Sequence, residues 1–356
     1  MANWYTTRTA VKRAANLGGG LYGQLLDDAI DRQIEAASRL CDNLCNRWFI
    51  PRTETRLYRW PQINGLSGTV WLDADLIAVT ALLSEAQNSS PTTIAGADYF
   101  VEPVNHGPPY TRIEIDLSSS AAFSGGDTPQ RSISVAGRWG YGEDTVTAGT
   151  VSSGLASSAS ATSAVVSDGS LVDVGDTLLC ESEQLFVTQK RAAALGSILM
   201  NDTLTADPSD DVLTVDGSHG IVAGEELLIE SERMLVLNVS TNDLTVKRGF
   251  DGTTVASHAN DTAVQIYRTL TVVRAINGTT AVTHANSTAL TKYQAPADVR
   301  AYVLAKALSL VHQDMAAWGR SIGGPDGAVE FRGGDLMRLE KTVKDNYQRR
   351  RPYNAI

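Results

Sequence analysis

The sequence predicts an α+β chain: a helical core with short β hairpins, plus an inserted all-β module of two repeated small barrel-like units. Three observations carry that expectation. Apolar residues recur at steps of three and four in two distant stretches, 24–49 and 298–318, as in amphipathic helices. An alternating strand at 133–139 runs into Gly140 and Tyr141, and the next element of the same body starts only at Pro296, far beyond an ordinary connection of about half a dozen residues. Between them the chain repeats itself. The predicted division is a flexible N-terminal arm (1–20), a helical core in two pieces (21–142 and 295–348), the inserted β module (143–294) and a C-terminal arm (349–356).

At 356 residues, 43% hydrophobic and 20% charged, the chain has the composition of a soluble globular protein large enough for two cores. A net charge of −10 argues against wrapping nucleic acid through a broad basic surface, yet suits a wall past which a duplex slides without sticking. Three cysteines give no disulfide framework and fit a reducing compartment. No run approaches the roughly 18 apolar residues of a membrane span, so no membrane partner is expected.

Gly18, Gly19 and Gly20 read as the joint of a mobile arm. Leu26, Ile30, Ile34 and Trp48 lie on the apolar stripe of the first helix, which Pro51 stops. Val303, Leu310 and Trp318 lie on that of the second, which is expected to pack against the first, with Trp139 in the same body. Asp335 caps a third helix, and 328–331 suggests a short strand. A hairpin is expected between 94–101 and 110–117, while 145–163, poor in charge and rich in Ser, Thr and Gly, reads as a linker.

In the module, 174–183 is echoed by 223–232 at an offset of 49, aligning Glu181 with Glu230 and Glu183 with Glu232. A second echo, 244–254 against 270–280, has an offset of 26 and aligns Arg248 with Arg274 and His258 with His284. Two offsets imply that a complete unit, about 212–267, is nested in a split one that begins near 165 and is finished by 269–292.

Carboxylates two residues apart on a strand face one side, so the Glu181–Glu183 and Glu230–Glu232 pairs invite a glycosidase-like acid and base reading, though hairpin tips are also where solvated charges collect. The two histidines could bind metal, but a shared place in a repeat favours a shared structural task. Cys41 and Cys45, one helical turn apart, make at most half a metal site, and His106 is a lone histidine in a Pro/Gly loop. No catalytic, cofactor or metal site is predicted, and the chain is not read as an enzyme.

Four motifs in order, Tyr99-Phe100-Val101-Glu102-Pro103, Pro108-Pro109-Tyr110-Thr111-Arg112-Ile113, Gly137-Arg138-Trp139-Gly140-Tyr141 and Pro296 followed by a helix, carry a further expectation. Over 21–141 and 295–351 the chain resembles the head-to-tail connector (adaptor) proteins of tailed bacteriophages. The resemblance implies a helical connector core in a structural protein of the virion neck, assembled in the host cytoplasm as a homo-oligomeric ring, twelve-fold, beneath the portal. Such a ring would bind portal and tail or neck proteins and extend the channel through which double-stranded DNA passes, without sequence-specific binding, during genome packaging and ejection. It also implies a C-terminal arm docking on the portal, here Arg349, Arg350, Arg351, Tyr353 and Ile356. The alternatives are a carbohydrate-binding or hydrolytic β module, or another tail-completion or decoration protein.

Overall fold

The computed structural model describes residues 3–16, 27–60, 68–153, 155, 161–315 and 333–349. The expected helical core is overturned: 38% of the chain is strand and 22% helix, with four helices among the described residues and a closed six-stranded barrel. The helices are α1 (Arg8–Asn16), α2 (Asp27–Cys45), α3 (Ala297–Met315) and α4 (Gly333–Tyr347). They form one layer around Ile30, Ile34, Cys41, Val299, Val303 and Val343, all buried. Leu310 packs half-buried against it, and Trp48 lies half-exposed beneath the Arg52 and Arg56 guanidinium groups, 4.0 and 5.3 Å from its ring. Leu26, Trp318, the 18–20 glycines and the strand expected at 328–331 lie outside the described residues.

Hairpins were expected to decorate the helices, but 52–139 builds a sheet with its own core. Its strands are β1 (Arg52–Tyr58), β2 (Thr69–Ser84), β3 (Thr92–Ile94), β4 (Tyr99–Glu102), β5 (Tyr110–Ile115) and β6 (Ile133–Trp139), in the order β1-β6-β2-β5-β4, with β3 on β2. The reason is β2, 16 residues long, which buries Val70, Leu72, Leu76 and Leu82 against Ile113, Val135 and Trp139. Trp139 is fully buried and its indole N–H donates to the Glu54 carbonyl. Gly137 lets β6 cross β2 closely, since a Cβ there would lie 2.3 Å from the Ala78 carbonyl oxygen.

The segment 145–153, expected to be linker, is strand β7 (Thr145–Ser153), in which Ala148 and Val151 are wholly buried. Thr and Val at alternating positions favour the extended chain once a neighbouring strand is present. It joins β8 (Ser163–Val166), β9 (Thr177–Cys180), β10 (Glu183–Ala193), β15 (Val264–Val273) and β16 (Ala289–Tyr293) in the order β10-β9-β16-β7-β8-β15, and β10 pairs back on β15 to close the ring. This first barrel is filled by Val151, Val166, Leu178, Leu185, Leu270 and Leu290.

β11 (Val212–Thr214), β12 (Glu226–Ile229), β13 (Glu232–Ser240) and β14 (Asp243–Lys247) continue from the first half of β15 in the order β15-β12-β13-β14-β11. Isolated bridges Met200↔Val215 and Leu199↔Ala263 carry the path from β11 back to the start of β15. A second core results, with Met200, Leu213, Leu227, Ile229, Val246 and Ile266 inside. The described repeat therefore takes in 198–200, upstream of the 212 boundary read from the echo, and its counterpart at the 49 offset is β7. The two barrels share β15: Ile229 pairs with Val264 in its first half, and Val165 with Thr269 in its second.

The N-terminal segment, expected to be mobile, packs along both layers. Tyr5 and Val11 are buried in the helical cluster, and the Tyr5 hydroxyl donates to Asp42 at 2.5 Å. Burial pushes the Asp42 carboxyl up to about 6, against the pull of Arg39 and the Tyr5 bond.

Candidate functional site: twin carboxylate clusters and a chain-end anchor

Each barrel buries a glutamate beside the tip of one hairpin. Glu183 opens β10 and Glu232 opens β13, both after a left-handed residue, Glu181 at φ 54° and Glu230 at φ 52°, that turns the hairpin tip. In the first barrel Glu183 accepts from Arg274 Nε at 2.9 Å and Nη2 at 2.6 Å, from the Ala275 and Val282 amides and from His284 Nε2 at 2.8 Å. In the second, Glu232 accepts from Arg248 Nε and Nη2, both at 2.8 Å, from the Gly249 and Ala256 amides and from His258 Nε2 at 2.9 Å. The other ring nitrogen faces the exposed carboxylate of the pair: His284 Nδ1 lies 2.9 Å from Glu181 and His258 Nδ1 2.8 Å from Glu230.

Burial would raise the Glu232 carboxyl, but the bonds from Arg248, the Ala256 amide, His258 and the Gly249 amide outweigh it and hold it down at about 2. Glu183 is lowered by the same opposition of burial to Arg274, His284 and two amides. A carboxylate has about four lone-pair directions, so five donors leave neither buried glutamate an acceptor site for a substrate or a shared proton. The clusters tie the hairpin tip to the next strand and to the 3₁₀ turn that follows it, Phe250–Gly252 or Ile276–Gly278. Among the described residues no group of three or more His, Cys, Asp and Glu is placed to hold a metal ion.

The outer rims differ. Beside the Ile276–Gly278 turn, Asn277 donates to Gln184 at 2.7 Å and to Asn3 of the N-terminal segment at 2.9 Å, while Thr177 donates to the same Asn3 oxygen at 3.1 Å. The equivalent positions of the second barrel are Asp251, Arg233 and Glu226, where Arg233 pairs with both acids and lies over the Tyr267 ring at 4.6 Å. Lys12 reaches this charged rim from α1, 3.0 Å from Asp251 and 2.7 Å from Asp27. One short segment thus engages matching places on both barrels. A cleft of about 260 Å³ between them is lined by Arg8, Lys12, Asp27, Lys190, Arg233 and Asp251 among others.

The remaining sequence candidates fall apart. Cys41 and Cys45 are buried in the helical cluster, where the bond to Cys45 and then burial push the Cys41 thiol well up. His106 lies in an exposed turn. Arg349, expected to meet a partner on the surface, is only 6% exposed: its Nη2 donates to the Leu72 carbonyl at 2.8 Å and its amide to the Cys45 carbonyl at 2.8 Å. Burial lowers its guanidinium, which faces Asp75, and Asp75 in turn is raised by burial between Arg47 and Arg349. Arg350, Arg351, Tyr353 and Ile356 lie outside the described residues. Repeat position signalled the clusters in advance, whereas the Asp75 contact joins residues 274 apart and has no local signal.

No family model, curated protein or solved structure matches this chain.

Proposed function

We propose that the protein is a structural component of a tailed-phage particle, a head-to-tail adaptor that assembles as a homo-oligomeric ring beneath the portal and extends the DNA channel towards the tail. One observation supports the reading: the two separate pieces over which the chain resembles the family, 21–141 and 295–351, meet at a single junction. Tyr141 donates its amide to the Trp48 carbonyl at 2.7 Å, and its ring lies 5.5 Å from Phe49 and 5.3 Å from Tyr347. The ends of α2, β6 and α4 therefore close on one another, and the β module leaves and returns beside them, with the Gln294 amide bonded to the Asp144 carbonyl. An insertion that begins and ends at one place burdens its host little, as expected of a module added to a pre-existing body.

Charge supports the same reading. Residues 143–294 contain 19 acidic and 8 basic residues, against 40 and 30 in the whole chain, so the surplus acid sits on the β module and the host body is close to neutral. An acidic module repels phosphate and does not retain a passing duplex. No described helix is long and apolar enough to cross a membrane. Saturation of Glu183 and Glu232 removes one carboxylate of each pair from the carbohydrate-hydrolysing alternative.

The test is capture by purified portal. The full chain is expected to bind and a chain ending at Gln348 to be lost from the complex; equal capture of the two would overturn the docking role of the C-terminal arm, and no capture of either would overturn the adaptor reading.

A further inference from the structure

The geometry points to Arg349 as the anchor of the C-terminal arm, a positioning residue that fixes the arm's point of attachment instead of gripping a partner itself. The inference deepens the adaptor reading and rests on it for the identity of the partner. Two residues beyond α4, Arg349 is held at three points: its amide by the Cys45 carbonyl at the end of α2, its Nη2 by the Leu72 carbonyl of β2, and its Nε 3.3 Å from Asp75 Oδ1. Asp75 is 3% exposed and shared, since Arg47 Nε lies 3.3 Å from its other oxygen. The end of α2, the middle of β2 and the end of the described chain thus converge on one buried carboxylate.

The chemistry favours an anchor over a contact. Withdrawing Arg349 to reach another protein would break the Leu72 bond and leave Asp75 with one cation in a buried setting, a far larger cost than freeing a surface arginine. Neither Asp75 oxygen makes an aligned hydrogen bond, so its hold on the two guanidinium groups is Coulombic, and lysine at 349 retains part of it. A fixed attachment point lowers the ordering cost of any docking made through the residues that follow it.

Two measurements on the full chain judge the anchor and the partner separately. In limited trypsin digestion read by mass spectrometry, the Arg349–Arg350 bond is expected to resist in the natural protein, because trypsin must take the Arg349 side chain that Asp75 holds, and to be cut in Asp75→Asn. Ready appearance of fragments ending at Arg349 in the natural protein overturns the anchor. In portal capture, Asp75→Asn and Arg349→Ala, which keep every residue of the arm beyond 349, are expected to weaken binding about tenfold. Arg349→Lys is expected to recover part of the loss, as a merely missing packing contact would not. Unchanged capture by Arg349→Ala, while the Gln348 truncation captures nothing, overturns the anchor and spares the adaptor reading. Undiminished capture by the truncation sinks the arm's portal role, and the trypsin result still decides whether Arg349 is held.

Discussion

The two barrels bury the same cluster in separate interiors and differ at the rim. Glu183, Arg274 and His284 superpose in role on Glu232, Arg248 and His258, down to the two amides each glutamate accepts. The rims have diverged: neutral Thr177, Gln184 and Asn277 on the first barrel, charged Glu226, Arg233 and Asp251 on the second. The first rim is pressed against the host, where Gln184 donates to the Pro51 carbonyl and a Cβ on Gly278 would meet the Thr53 oxygen at 2.0 Å. The second lines the cleft and meets the N-terminal segment through Lys12. Closing the hairpin demands the same buried carboxylate in both copies, whereas desolvation at a tight interface disfavours charge in only one.

The largest effect comes from halving a cluster. Arg248→Ala leaves Glu232 buried without its bidentate partner and is expected to cost about 3–5 kcal/mol, as is Arg274→Ala, measured by urea unfolding. Replacing both partners, Glu232→Leu with Arg248→Met, is expected to cost less than either single change, since no charge is stranded. An Arg274→Ala variant as stable as the natural protein would break the equivalence of the two interiors.

Acid should act through the same groups. Glu232 is held at about 2 against an ordinary 4.5, so its contribution is fully present above pH 4.5 and is lost as pH falls towards 2. The shift amounts to about 3 kcal/mol at most. Asp42 acts with the opposite sign: at about 6 against an ordinary 3.8, its contribution is present below pH 3.8 and lost as pH rises through 6. The difference in stability between the natural protein and Glu232→Gln isolates the first group, and it should shrink steadily from pH 5 to pH 2.5. A constant difference would remove Glu232 from the acid response.

At the rims the effects are smaller and unequal. Asn3→Ala strands Asn277 and Thr177 at the neutral rim and is expected to cost about 1–3 kcal/mol. Lys12→Ala is expected to cost about 0.5–1 kcal/mol, because Arg233 still serves Asp251 and the site is partly solvated. Thermal unfolding of the two variants orders them, and a larger loss for Lys12→Ala would mean that the charged rim carries the attachment of the N-terminal segment.

What could be read in advance follows from the range of the forces. Ile30, Ile34 and Val303 were legible because helix periodicity is local, and the cluster residues because duplication writes them twice. β7 was not, since its Thr and Gly content resembles a linker until β16 and β8 supply partners. The sheet core was underestimated because β2 changes neighbour midway, pairing β5 through Val70 and β6 through Leu82, and no single alternation spans it. Tyr5 and Arg349 were assigned to free arms because burial of a chain end depends on distant groups, Asp42 and Asp75, that no local pattern announces.

The smallest effect separates the two glutamates of each pair. Glu181 and Glu230 have side chains 57% and 60% exposed, and their contact with the histidine competes with water, so losing the carboxylate is expected to cost no more than about 1 kcal/mol. Both also sit at positive φ, 54° and 52°, where a side chain is strained and glycine is not. Glu181→Gly and Glu230→Gly should therefore nearly cancel loss against relief, leaving the midpoint of urea unfolding within measurement error in both barrels. Destabilisation of several kcal/mol by either would show that the outer carboxylate, and not the buried one, holds the hairpin tip.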